Sequence, residues 1–214
     1  MSEPEQKSGN KLVLVGDSGV GKTCLISRFL SGNFDKNQPS TNGASYASKL
    51  IEYPNLKKSL VLDIWDTAGQ EKFKALTKFF YKDALMVILV YDITRRESFD
   101  NLKNFWYQEI QENAEPNIVL AVAGNKCDLY EQEAVAENEA REYAKSINAL
   151  FALTSAQNNT GVAKLFKDIG NKFLDPNFQN SVNERKRTPS VALKKKEHVD
   201  NPKKPEVKKK KKCC

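Results

Sequence analysis

The sequence predicts an α/β fold: a six-stranded, mostly parallel sheet with helices on both faces. Three observations carry this. Short apolar runs of strand length alternate with longer segments of helical spacing between Lys11 and Leu174, and such alternation packs helices over a parallel sheet. Two of the runs flank the turn Pro54-Asn55, close enough for an antiparallel hairpin. A glycine-rich stretch, GDSGVGKT (Gly16–Thr23), separates the first apolar run from the first helical segment.

The elements follow in order. Residues 11–15 (KLVLV) read as a buried strand stopped by Gly16. Residues 22–31 read as a helix with Leu25, Ile26, Phe29 and Leu30 on one face. The polar stretch 33–45, with Pro39 and Gly43, reads as a loop. Tyr46–Glu52 and Ser59–Asp66 are the hairpin strands. Gly69–Tyr81 reads as a loop leading into a helix. Ala84–Asp92 is a strongly apolar strand. Ser98–Asn113 reads as a helix through Phe99, Leu102, Phe105, Trp106 and Ile110. Ile118–Ala123 is a fifth strand, Glu133–Ile147 a helix, Leu150–Leu153 a sixth strand and Val162–Leu174 a last helix. No internal repeat is present.

The 214 residues allow one ordinary domain and an appendage. Residues 1–10 are polar and read as a flexible N-terminus without a signal peptide. Residues 11–175 form the domain. The net charge is +7, but residues 176–214 hold thirteen Lys and Arg against four Asp and Glu, so this tail carries +9 and the rest −2. A basic tail on a near-neutral domain suits an anionic membrane surface better than nucleic acid, and no nucleic-acid partner is expected. The tail has four prolines and little apolar periodicity, so it is read as disordered. No run is long enough to span a membrane. The single histidine, His198, lies in the tail, which excludes Ser-His-Asp and Cys-His catalysis in the domain. The cysteines suit a reduced, cytosolic chain.

Three motifs carry chemistry. The first, Gly16, Gly21, Lys22 and Thr23, fits G-x-x-x-x-G-K-[ST] between a strand and a helix. The amides of Ser18, Gly19, Val20, Gly21, Lys22 and Thr23, with Cys24 next in line, can surround phosphates. Lys22 would reach the β- and γ-phosphates, and the Thr23 hydroxyl would ligate Mg²⁺. The bland alternative is a glycine-rich turn with no ligand. The second motif is GNKCDL, containing Asn125, Lys126 and Asp128 straight after an apolar strand. A carboxylate at Asp128 can accept hydrogen bonds from guanine N1–H and its exocyclic amine; adenine offers neither and is rejected. Lys126 would pack its stem on the base and Asn125 would tie the loop together. Amides of the TSA stretch, with Ser155, Ala156 and then Gln157, would face the guanine oxygen. Alone, N-K-x-D could be a surface loop. The third motif is WDTAGQE (Trp65–Glu71). Here Asp66 can hold Mg²⁺, the Gly69 amide can bond the γ-phosphate, and Gln70 can orient the attacking water.

Together these residues resemble the Ras-like small GTPases, and within them the Rab family. WDTAGQE, LVYDIT (Leu89–Thr94) and KFKALTKFFYKDA (Lys72–Ala84) are Rab-like in wording, and NAEPNIVLAVAGNKCDL (Asn113–Leu129) resembles the early-endosomal branch. The resemblance implies a P-loop NTPase of the small G-domain type, binding GTP and GDP with Mg²⁺ and hydrolysing GTP. It implies Thr41 as a second loop ligand to Mg²⁺ and γ-phosphate, and Phe34 as a stacking partner of guanine. Lys22 and Gln70 are the expected catalytic groups. No arginine is placed by motif to act in cis, so slow turnover is expected, with an activating protein supplying charge in trans. Asn42 and Tyr46 depart from the family's usual aliphatic residue and Phe, which bears on effector choice. Lys72 and Gln157 replace commoner Arg and Lys, and Ser18 adds bulk in the phosphate loop.

The resemblance also implies an effector surface built from Tyr46, Trp65 and Tyr81, although as core residues these aromatics would be unremarkable. It implies an exchange factor and a GDP-dissociation inhibitor or escort protein. The chain closes on KKKKKCC. The family reading makes Cys213 and Cys214 geranylgeranylation sites, so that two lipids and Lys208–Lys212 anchor the chain to the cytoplasmic face of an endosomal or vesicular membrane, cycling with the cytosol. Two other readings compete. One is a hydrolysis-deficient nucleotide-binding scaffold on membranes. The other is an ATP-dependent P-loop kinase, which Asn125, Lys126 and Asp128 disfavour.

Overall fold

A computed structural model describes residues 9–41, 43–67 and 80–179. Six strands form one sheet: β1 (Asn10–Val15), β2 (Ala44–Tyr53), β3 (Lys58–Thr67), β4 (Met86–Asp92), β5 (Val119–Asn125) and β6 (Leu150–Leu153). Their order is β2-β3-β1-β4-β5-β6. The β2–β3 pair is antiparallel and every other pair is parallel. The fold expected from the alternation of elements is therefore the one observed. A short 3-10 turn at Pro54–Leu56 closes the hairpin.

Strands β4 and β5 are buried along their whole length, which is why they read as unbroken apolar runs. On β1, alternate residues serve opposite faces. Leu12 and Leu14 join a core beneath α1 (Lys22–Ser31) and the last helix, with Leu25, Phe166 and Ile169. Val13 and Val15 join a second core with Phe99, Leu102, Trp106 and Val135. The sheet thus has a core on each face, as strand alternation requires.

The helices on the second face depart from expectation in two places. The segment expected as one helix over 98–113 starts earlier and is broken into α2 (Arg96–Asn101), a π turn (Leu102–Trp106) and α3 (Tyr107–Asn113). The wider turn sits where Trp106 donates Nε1–H to Asp17 Oδ1 at 2.8 Å. The helix expected from Glu133 begins at Glu137 as α4 (Glu137–Ser146), after a 3-10 segment at Cys127–Gln132. The reason is local. Ala134 N–H donates to Ile93 O at 2.8 Å, and Val135 is fully buried, so this stretch is extended and tacked to the sheet. The final helix, α5 (Val162–Leu174), has the predicted bounds.

The helix expected before Tyr81 falls almost wholly outside the described residues, as do Asn42, Gly69, Gln70 and residues 180–214 with Cys213 and Cys214. Residues 176–179, expected as the start of the disordered tail, are instead helical, with the Phe178 ring packed against Phe173. Among the described residues no helix is long and apolar enough to cross a membrane.

Candidate nucleotide site

The carboxyl ends of β1, β3, β4 and β5 open on one side of the sheet, where ligands of open α/β sheets sit. A cavity of about 330 Å³ lies there. It is lined from the phosphate loop by Ser18, Gly19, Gly21, Lys22, Thr23 and Cys24, from the following loop by Phe34 and Thr41, and from the far side by Asn125, Lys126, Asp128, Ala156 and Gln157. Residues 139 positions apart in sequence, Ser18 and Gln157, therefore share one wall system.

The loop after β1 needs glycine at two points. Gly16 has φ +142°, and a Cβ there would lie 2.1 Å from Val90 O; Gly21 has φ +96°, and its Cβ would lie 2.4 Å from Asn125 Nδ2. Any larger residue at either place displaces the loop from the sheet or from Asn125. Gly21 caps α1, whose first turn holds no acidic residue, so the positive end of that helix faces the cavity unopposed. Val20, also expected to face the nucleotide, does not line the cavity: its side chain is fully buried in the core. Lys22 is 5% exposed. Its ammonium bends back to donate to Gly16 O at 2.7 Å and Asp17 O at 2.9 Å. Burial pulls its pKa down to about 8, against the opposing pull of the Asp66 and Asp17 carboxylates.

Next to the loop lies a cluster of hard oxygen donors. Thr23 Oγ1 and Thr41 Oγ1 are 2.6 Å apart, and Thr23 donates to Asp66 Oδ2 at 2.7 Å. Thr41 Oγ1 also reaches Asp66 Oδ2 at 3.3 Å. Asp66 is 2% exposed, and its Oδ1 is buried without a hydrogen-bond partner. Burial raises the Asp66 pKa, against hydrogen bonds from Thr23 and Thr41 and the charge of Lys22. One carboxylate with an unused oxygen and two hydroxyls is a donor set that fits Mg²⁺. The three residues expected as metal ligands are thus brought together.

At the other end, Asn125 donates Nδ2–H to Val20 O at 2.8 Å and accepts from Thr154 Oγ1 at 3.3 Å. Asn125, expected to tie its own loop together, links that loop to the phosphate loop and to the end of β6. Lys126 has a left-handed backbone (φ 64°), and its ammonium lies 2.6 Å from Asp92 Oδ2. Burial opposes the charge on Asp92, but hydrogen bonds from Lys126 and Thr94 outweigh it and hold the carboxyl below its usual range. Asp128 accepts a short hydrogen bond from Ser155 Oγ. Ser155 is fully buried behind Asp128 and does not line the cavity. The amides of Thr154 and Ser155 are spent on Gly124 O and Thr160 O, so the cavity-facing part of this stretch is Ala156 and Gln157.

Among the expected surface aromatics, Tyr46 is 56% exposed and Trp65 is partly buried. Their rings meet edge to face with centroids 5.4 Å apart. Tyr81 does not belong with them. It is fully buried in the second core, so it can present no surface. Its neighbour Phe80, partly exposed, packs against Trp65 at 6.3 Å and takes its place.

Four residues that hold the site were missed by sequence reasoning. Arg28 on α1 donates Nε–H to Ala156 O at 2.7 Å and Nη2–H to Gln157 O at 2.9 Å, and lies over the Phe34 ring. Asp17 accepts from Asn101 Nδ2 and Trp106 Nε1, both at 2.8 Å. Asp92 anchors Lys126. Arg95 donates Nη2–H to Ser18 O at 3.0 Å. The sequence signals were that Asp17 lies within the glycine motif and Asp92 within LVYDIT.

Residues 11–175 match the family model described as the Ras family. The chain is 47% identical over 163 residues to the Ras-related protein Rab-22A of Homo sapiens, covering 76% of this chain and 82% of that protein. It is 44% identical over 169 residues to Rab-31 of Rattus norvegicus, covering 78% and 85%. It is 38% identical over 184 residues to Rab-13 of Bos taurus, covering 86% and 89%.

Proposed function

Because the chain belongs to the Ras family and, within it, to the Rab small GTPases of the Rab-22A and Rab-31 branch, we propose a residue-level account of how it works. The chain binds GTP and GDP, hydrolyses GTP, and serves as a switch in vesicular traffic at endosomal or vesicular membranes. GTP hydrolysis is the family's activity, which tells against a hydrolysis-deficient scaffold.

The phosphates lie along the Ser18–Thr23 amides at the positive end of α1. Lys22, with two of its three N–H donors on the Gly16 and Asp17 carbonyls, has a third for the β- and γ-phosphate oxygens; a phosphate beside it favours its charged form. Thr23, Thr41 and Asp66 hold Mg²⁺, which when bound supplies charge neutralisation to the phosphates. Asp128 accepts from guanine N1–H and its exocyclic amine, Ala156 N–H donates to the guanine oxygen, and Phe34 covers a face of the base. Gly69 and Gln70 complete the reaction: the Gly69 amide bonds the γ-phosphate and Gln70 orients water for attack.

Thr41 and Gly69 release their loops once the γ-phosphate is gone, and this ordering is the switch. Tyr46, Trp65 and Phe80, which flank those loops, form the effector surface. Turnover is slow until an activating protein supplies a charge in trans; an exchange factor reloads GTP. Two prenyl groups on Cys213 and Cys214, with Lys208–Lys212, hold the chain on an anionic leaflet. A GDP-dissociation inhibitor or escort protein hides the lipids for return to the cytosol.

The observation that best supports the account is the meeting of Thr23, Thr41 and Asp66, 43 residues apart at the extremes, in one hydrogen-bonded cluster beside the phosphate loop. Single-turnover GTP hydrolysis tests it. Gln70→Leu is expected to slow the reaction at least about tenfold, less than the roughly 10²–10⁴ of a group that itself takes a proton, because Gln70 only orients the attacking water. A Gln70→Leu rate equal to that of the unchanged chain would remove Gln70 from its role.

A further inference from the structure

Arg95 stands just before α2, where Arg95 N–H donates to Asp92 O at 3.0 Å and Ser98 N–H donates to Arg95 O at 3.0 Å. Its backbone is therefore fixed to the end of β4. From there the guanidinium reaches across to the phosphate loop and donates to Ser18 O at 3.0 Å. The same guanidinium lies beside the next residue: a Cβ built on Gly19 would be 3.8 Å from Arg95 Nη1. Arg95 itself does not line the cavity, whereas Ser18 and Gly19 do.

The peptide between Ser18 and Gly19 is trans. In a trans peptide the carbonyl and the N–H point in opposite directions. A donor that fixes Ser18 C=O from outside therefore turns Gly19 N–H away from itself. It also polarises the peptide unit, which strengthens its N–H as a donor. We infer that Arg95 is a positioning residue for nucleotide retention: by binding Ser18 O behind the loop, it aims and strengthens the Gly19 amide as a phosphate donor.

This rests on the reading that the loop amides hold phosphates. Asp17, the preceding residue, is held separately by Asn101 and Trp106. Loss of Arg95 therefore leaves the loop attached while freeing one peptide plane.

The test uses the full chain loaded with a fluorescent GDP analogue. Release is measured for the unchanged chain, Arg95→Ala and Arg95→Lys, together with melting temperature and the NMR shift of the Gly19 amide proton in the GDP-bound form. Arg95→Ala is expected to release GDP about fivefold faster, the effect of one typical hydrogen bond. The Gly19 amide proton should move upfield, the melting temperature should stay unchanged, and Arg95→Lys should recover most of the retention. Unchanged release with an unmoved Gly19 resonance overturns the inference. So does faster release that follows a lowered melting temperature and is not restored by lysine. Failure of the unchanged chain to bind GDP would instead overturn the reading of the pocket, and the inference with it.

Discussion

At the base end of the cavity, Asn125 is bonded to Val20 O and Thr154 Oγ1, and Asp128 accepts from Ser155 Oγ. At the phosphate end, Asp66 keeps one buried oxygen without a partner, and Lys22 is buried with carbonyl oxygens for company. The base end is satisfied from within the protein, so its carboxylate is already fixed before guanine meets it. The phosphate end has polar capacity to spare, and a buried group of that kind gains most from a charged ligand. Base selection can then stay constant through the cycle while phosphate contacts alone change. One cavity thus divides recognition from switching.

The largest effect that would break this comparison is at Asp128. Asp128→Ala removes two hydrogen bonds to a charged acceptor, worth about 1.5–3 kcal/mol each. GDP affinity measured by titration calorimetry should fall roughly a thousandfold, and the preference for guanine over adenine should go with it. A loss under about tenfold would show that the base end does not select.

Asn125→Ala asks whether the base end braces the loops. It leaves Val20 O and Thr154 Oγ1 buried without their partner, at a cost of about 2 kcal/mol. The melting temperature should fall about 4–8 °C for a domain of this size. A change under 1 °C would mean that the three loops hold their places without it.

A smaller effect sharpens the same point through pH. Asp92 is held below its usual range, taken as 3.8, by Lys126 and Thr94. A depressed carboxyl contributes stability above its unfolded pKa and loses it as pH falls through the lower folded value. Lys126→Met should therefore lower the melting temperature by a steady few degrees between pH 5 and 8, about 1 kcal/mol for a partner whose side chain is 35% exposed. The difference should shrink below about pH 4. A difference that persists undiminished at pH 3 would assign the loss to packing of the Lys126 stem.

Much of the fold was legible in the sequence because its signals are local. Buried parallel strands such as β4 are continuous apolar runs, and α1, β6 and α5 have the bounds their spacing gave. The glycine motif and Asn125–Asp128 named most of the cavity wall for the same reason. The π turn was not legible, since Phe99, Leu102, Trp106 and Ile110 keep a spacing that an ordinary helix also satisfies. What chooses the wider turn includes Asp17, 89 residues away. Arg28 and Arg95 were invisible because they act on backbone carbonyls 128 and 77 residues distant, and such contacts leave no period. Tyr81 and Phe80 are adjacent aromatics on one short stretch, and only packing decides which turns inward.

The most direct test of the central claim is calorimetry on nucleotide-stripped protein with Mg²⁺, comparing GDP and ADP. A buried carboxylate built to receive guanine's two donors should favour GDP by at least about 10⁴. Equal affinity for the two diphosphates would contradict it, and with it the division of the cavity into a selecting end and a switching end.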